Sequence, residues 1–166
     1  MFRGWFRNSS SSYNGFVRAL LCGNIKEMNL YMNDVALATF SSFDTGTHSS
    51  EKTQPERFYH GFVLGLLVEL RDRYLVHSNR ESGYGRYDVM MIPKSKKDPA
   101  MILEFKVREQ DAEETLQDTV AAALKQIQEK RYDAELLAQG IEEKQIYHYG
   151  FAFEGKKVVI GTEEIT

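Results

Sequence analysis

The stretch from Gly83 to Arg108 reads GYGRYDVMMIPKSKKDPAMILEFKVR. Two apolar runs, Arg86 to Ile92 and Ala100 to Val107, flank a polar loop that carries Pro93, Lys94, Lys96, Lys97, Asp98 and Pro99. Runs of this kind bounded by proline and polar residues predict the two strands of a β-hairpin. If the hairpin closes symmetrically about Lys96, Asp88 stands opposite Glu104. Side chains alternate faces along a strand, so Glu104 and Lys106 project from one side, while Leu103, Phe105 and Val107 project from the other into a core. One face carries charge and the other packs. Like charges directly opposite in a sheet cost roughly 0.2–1 kcal/mol. The pair therefore needs a compensating cation, either Lys106 or a bound metal. Two carboxylates are suitable ligands for Mg²⁺.

The rest of the chain bounds what such a hairpin can serve. At 166 residues it predicts one domain with a sizeable core. A net charge of −3, from 21 basic and 24 acidic side chains, excludes a general electrostatic bias toward nucleic acid. Any DNA contact is then local, at Lys94, Lys96 and Lys97, at Arg71 and Arg73, or at Arg3 and Arg7, and a solvated charged face explains these residues equally well. Cys22 is the single cysteine, which excludes an internal disulfide and a zinc site of several cysteines. Its neighbours Leu20, Leu21 and Ile25 predict a buried apolar thiol. The start, MFRGWFRNSSSS, lacks the apolar run of a signal peptide, and no later stretch has the ~18 apolar residues of a membrane span. The expectation is a cytoplasmic protein that does not enter the membrane.

Outward from the hairpin, apolar residues recur at helical spacing over 13–22 and 25–40, interrupted by Gly23 and Asn24. They predict two helices, with methionines as core filler, in an N-terminal helical extension covering 1–50. A core domain covers 51–166. Ser41 to Ser50, with His48, reads as loop. Thr53-Gln54-Pro55-Glu56 has the form of a helix start with a capping box, and the helix is expected to run to about Arg73. Phe58, Tyr59, Phe62, Val63, Leu66 and Leu70 form its apolar stripe, flanked by Glu56 and His60. Tyr74 to Ser78 reads as a strand that makes an antiparallel meander with the hairpin. After Arg108, acidic residues from Glu109 to Glu114 suit the first turn of a long helix ended by Gly140. Leu116, Val120, Ala123 and Ile127 line one face of that helix, and Gln126 and Lys130 lie one turn apart on its flank. Ile146 to Phe153 and Val158 to Gly161 are further strands. The crossover places the strand at Ile146 parallel to the strand at Ala100. The fold class is α/β (α+β), a mixed central sheet flanked by helices.

Asp88 on one strand, Glu104-x-Lys106 on the next, Gly85-Arg86-Tyr87-Asp88 leading in and a Gln-bearing helix following together resemble the PD-(D/E)XK nuclease superfamily. More narrowly, the chain from about Tyr13 is similar to the nuclease-like domain found C-terminal to AAA-type ATPase modules in bacterial proteins. The resemblance implies an αβββαβ restriction-endonuclease-like core, DNA as substrate, Mg²⁺ or Mn²⁺ as cofactor and an AAA-type ATPase module as partner; a homodimer is compatible with it. It also implies that His60, in the run Phe58 to Gly61, supplies the contribution of the first core helix, with Glu56 as the alternative. Glu81 and Gln126 fall at positions bordering the site. Arg86 and Lys130 are candidate nucleic-acid contacts. Phe2 to Arg7 resembles the segment that closes the ATPase module, so the chain reads as a C-terminal fragment or a stand-alone form. No GxxxxGK[ST] loop occurs, and ATP hydrolysis is not expected.

The chemistry expected of these residues is phosphodiester hydrolysis. Asp88 and Glu104 hold the metal, Lys106 orients water or stabilises the pentavalent phosphorus, and His60 and Gln126 complete the catalytic set. The competing expectation is a catalytically silent module of the same fold that binds DNA or protein. A surface ion-pair cluster of Asp88, Glu104 and Lys106 on an open sheet is the purely structural alternative.

Overall fold

The structure is a computed structural model that describes residues 15–40, 53–78, 81–82, 85–86, 88–108, 115–154 and 157–163, with 36–40, 53–59, 81–82 and 85–86 by backbone alone. Two helices come first, α1 (15–22) and α2 (Ile25–Phe40), followed by α3 (Thr53–Val68). Strand β1 (Tyr74–Ser78) leads to a small ribbon of β2 (Glu81–Ser82) and β3 (Gly85–Arg86). The hairpin strands β4 (Val89–Pro93) and β5 (Ala100–Val107) are followed by α4 (Leu116–Glu129), α5 (Ala134–Ala138), β6 (Ile146–Glu154) and β7 (Lys157–Thr162).

Strands β1, β4, β5, β6 and β7 form one sheet in that order. The pairs β1/β4, β4/β5 and β6/β7 are antiparallel, and β5/β6 is parallel across the α4 crossover. This is the mixed sheet expected of a restriction-endonuclease-like core. The hairpin register pairs Val89 with Leu103, Met90 with Ile102 and Met91 with Met101, as symmetric closure about Lys96 requires. One expected strand is divided, however. Gly85 and Arg86 pair with Ser82 and Glu81 rather than with β5, so the main strand begins at Val89 and not at Arg86. The Gly-rich lead-in folds on itself as a local ribbon, which leaves Asp88 just outside the ladder.

Both faces of the sheet are covered. Met101, Leu103 and Phe105 point into a core with Phe16, Leu20, Met28, Met32, Val63, Leu67, Tyr149 and Phe151, so α1, α2 and α3 share one hydrophobic cluster with the sheet. Met90, Ile92, Ala100 and Ile102 face Ile127, Tyr132 and Leu136 on the opposite side. The face expected to carry only charge is thus half apolar and packed under α4. On α2, Asn29 and Asn33 stand one turn apart along the outer edge of β7. Asn29 exchanges hydrogen bonds with the backbone N–H and C=O of Ile160 at 2.8 and 2.9 Å, and Asn33 does the same with Val158 at 3.3 and 3.0 Å. Two side-chain amides therefore do for this edge what another strand would do.

Three further expectations change. Cys22 is exposed rather than buried, because Phe16, Ala19 and Leu20 form the inward face of α1 and Cys22 shares the outward face with Arg18. Helix α3 ends at Val68, and turns carry the chain from Glu69 to Arg73. The expected long helix is two: α4 starts at the N-cap Thr115, which forms a capping box with Asp118, the acidic residue of its first turn. The residues 109–114 lie outside those described. Helix α4 closes in a Schellman pattern, with Arg131 N–H bonded to Gln128 O and Tyr132 N–H to Ile127 O. Arg131 takes the left-handed conformation, φ 52°, that turns the chain toward α5. Among the described residues, no helix is long and apolar enough to cross a membrane.

Candidate active site

The site lies at the end of the sheet where β4 begins and β5 nears its close. Asp88 occupies the bend before β4, and its Oδ2 accepts the Phe105 N–H of β5 at 2.8 Å. The carboxylate thus continues the β4/β5 ladder by one bond after the backbone has left it. Burial raises the Asp88 pKa, and the Phe105 hydrogen bond and the attraction of His60 and Lys106 work against that rise. Of these opposing influences that of Lys106 is the smallest. Glu104, on β5, is 4% exposed. Gln126 of α4 donates from Nε2 to Glu104 Oε1 at 2.7 Å and to the Tyr132 hydroxyl at 3.2 Å. Gln126 thus ties Glu104 to the end of α4.

Glycine sets the distance between α4 and the sheet. Glu104 pairs with Gly150 on β6, and Gly150 pairs with Gly161 on β7, so the two glycines continue the row of Glu104 under the helix. A Cβ at Gly150 would stand 3.0 Å from Val120 O and 3.2 Å from Ala123 Cβ; at Gly161 it would stand 2.5 Å from Val120 Cγ1. The helix rests on that bare row. Gln126, less than a turn beyond Ala123, then reaches Glu104.

His60, half-buried on α3, approaches from the other side. Its Nε2 lies 3.1 Å from Ser78 Oγ, and its ring packs on Phe105 with centroids 5.5 Å apart. The structure thus brings Asp88, Glu104, Lys106, His60 and Gln126 to one end of the sheet. Lys130 is exposed at the C-cap of α4, one turn past Gln126. The side chains of Arg86, Glu81 and Glu56, like Arg3 and Arg7, lie outside the described residues. The exposed loop lysines Lys94, Lys96 and Lys97, with Arg71 and Arg73, sit at the far end of the hairpin. Four residues of strand, about 13 Å, separate Ala100 from Glu104. Those lysines do not border the carboxylates.

Two further residues stand at the site: Tyr132, which sequence left between a site role and packing, and Ser78, which it did not single out. Tyr132 is 1% exposed, and burial raises its pKa; the Gln126 hydrogen bond lowers it, and the charges of Glu104 and Asp88 raise it further. Its phenol oxygen accepts from Gln126 Nε2, the same nitrogen that bonds Glu104. The signal was its place after Gln126 and Lys130, but an aromatic there serves packing equally well. Ser78 ends a strand that sequence marks only as apolar, and its meeting with His60 depends on how α3 crosses β1.

A sequence model of the PD-(D/E)XK nuclease superfamily matches residues 54–163. The chain belongs to the PD-(D/E)XK nuclease superfamily. The matched span runs from α3 through β7 and includes every site residue named above. No curated protein and no solved structure was found to match. Members of this superfamily usually work with a divalent metal, and the donor set here can be tested against one. Asp88 and Glu104 offer hard oxygen ligands, and among the described residues no three His, Cys, Asp or Glu side chains gather closely enough to hold an ion by themselves. Hard oxygen donors of this kind suit a hard divalent cation.

Proposed function

We propose that this domain is a metal-dependent nuclease that hydrolyses DNA phosphodiester bonds, with Asp88 and Glu104 as the ligands of Mg²⁺ or Mn²⁺. The observation that carries this reading is the convergence of Asp88, Glu104 and Lys106 at one end of the β4/β5 hairpin, with Gln126 fixing one Glu104 oxygen at 2.7 Å. When bound, the metal supplies Lewis acidity toward the phosphate and acidifies water. The chain supplies the rest. Gln126 holds Glu104 in one orientation, the Phe105 N–H holds Asp88, and Lys106 places a positive charge where negative charge develops on the phosphoryl oxygens. Lys130 and Arg86 are assigned to backbone phosphates, where contacts position the duplex without reading its sequence. The test is cleavage of plasmid and branched DNA in Mg²⁺ or Mn²⁺. Wild type cleaves; Asp88→Ala and Lys106→Ala do not. Equal background in all three removes the enzymatic reading.

A second reading keeps the fold and the superfamily but not the reaction: a catalytically silent module that binds DNA or protein, including an AAA-type ATPase partner. The net charge of −3 and the distance of the loop lysines from the carboxylates favour it. Calorimetric titration with Mn²⁺ separates the two, since a working site binds the ion and loses it on Glu104→Ala.

A further inference from the structure

Ser78 stands where three parts of the site meet. It is the last residue of β1, its Cα partner on β4 is Val89, and Val89 follows Asp88 in the chain. Its hydroxyl lies 3.1 Å from Nε2 of His60, whose ring is also packed against Phe105. The Phe105 backbone in turn holds Asp88. One wall of the site is therefore a linked set in which β1, β4 and β5 each contribute to fixing His60 and Asp88. An imidazole has two nitrogens with distinct directions, and the one that is already engaged decides which remains for chemistry. With Nε2 on Ser78, only Nδ1 is left for Asp88, for water or for a phosphate oxygen.

We infer that Ser78 is a positioning residue that holds Nε2 of His60 and makes Nδ1 the working nitrogen of the site. This rests on the nuclease reading for its consequence, but the contact itself is independent of that reading. The hydroxyl holds Nε2 either by donating to it or by accepting from it, and which of the two it does sets the tautomer, so its loss shifts the balance between the Nδ1–H and Nε2–H forms. Threonine preserves this capacity and alanine removes it.

The experiment uses the whole chain, uniformly labelled with ¹⁵N, and reads the imidazole nitrogens of wild type, Ser78→Ala and Ser78→Thr by long-range proton–nitrogen correlation. His60→Gln identifies the His60 signals among the 4 histidines. Circular dichroism and the urea midpoint establish that each variant is folded. The expected result is a His60 tautomer balance that changes in Ser78→Ala and returns in Ser78→Thr. An unchanged His60 spectrum in folded Ser78→Ala overturns the inference. In the cleavage assay, Ser78→Ala lowers kcat about 10–100-fold, the range known for partners that orient metal-bound imidazoles. Mn²⁺ affinity stays the same, and Ser78→Thr recovers the rate. If wild type cleaves no DNA, the nuclease reading fails, and the imidazole spectrum still decides the role of Ser78.

Discussion

Asp88 carries two opposed demands. A metal ligand must be ionised, yet burial makes ionisation of this carboxyl unfavourable, and the Phe105 N–H, His60 and Lys106 only partly offset that cost. The sign for stability follows from the raised pKa. The folded chain holds a proton on Asp88 at pH values where the unfolded chain has released it, so stability falls as pH rises from about 4, the ordinary aspartate value, through the raised one. Asp88→Asn keeps an oxygen for the Phe105 N–H and has no charge to bury. It is expected to unfold at higher urea than wild type at neutral pH, with the gap closing toward pH 4, while its Mn²⁺ binding is lost. A variant less stable than wild type at pH 7 would show that the ionised form is not the costly one. Gln126 makes the complementary case. Removing its amide in Gln126→Ala takes a donor from a buried carboxylate, a loss of about 1.5–3 kcal/mol for a hydrogen bond to a charged group. The urea midpoint measures it, and a change below a few tenths of a kcal/mol would mean that the 2.7 Å bond contributes nothing net.

Helix α4 brings Gln126 over Glu104 only because the sheet beneath it is bare at Gly150 and Gly161. An added methyl at Gly161 meets Val120 Cγ1 at 2.5 Å, and valine in a helix has essentially one χ1 rotamer to offer. Gly161→Ala is therefore expected to destabilise the domain by about 1–3 kcal/mol, as overpacking does. Val120→Ala in the same chain makes room for the methyl, so the double variant should be more stable than the two single losses added together. Urea denaturation of the four proteins gives the coupling, and simple additivity would mean that α4 does not rest on this row. Such contacts also mark how far elements were legible in sequence. The two hairpin strands, their register and the parallel crossover followed from apolar runs, prolines and chain order, because those signals are local. The helix at Gly23 broke where expected for the same reason, and Gly23 does adopt a positive φ of 74°. The division of the lead-in at Gly85 and Arg86, the second break at Arg131 and the exposure of Cys22 were not legible, since each depends on what lies across space. So did the meeting of Gln126 with Glu104. Sequence spacing placed Gln126 on a helix flank, and only the crossing of that helix over β5 selects its partner.

At the scale of the molecule, the α4/α5 layer is fastened to the sheet from two sides. His77 on β1 lies 3.5 Å from Glu135 of α5, and His148 on β6 places Nε2 2.7 Å from Asp133 and Nδ1 3.1 Å from Glu163. Both histidines belong to one row of the sheet, His77–Met90–Ile102–His148. They close on the segment that carries Tyr132, so the fastening and the candidate site share one short stretch of chain. Burial lowers the His148 pKa, but Asp133 and Glu163 together outweigh it and the net direction is up. A histidine raised in the folded state contributes stability that is fully present below its unfolded value of about 6.5 and disappears as pH climbs through the folded value. The difference in unfolding free energy between wild type and His148→Gln should therefore be largest near pH 6, at about 1.5–3 kcal/mol for hydrogen bonds to charged partners. It should shrink steadily toward pH 9. Hydrogen exchange at the amides of 132–138 ought to quicken over the same interval in wild type and to be already fast in His148→Gln at pH 6. A difference that stays constant with pH would mean that the His148 charge does not hold the layer, and that packing of Ile127, Tyr132 and Leu136 against Met90 and Ile102 suffices.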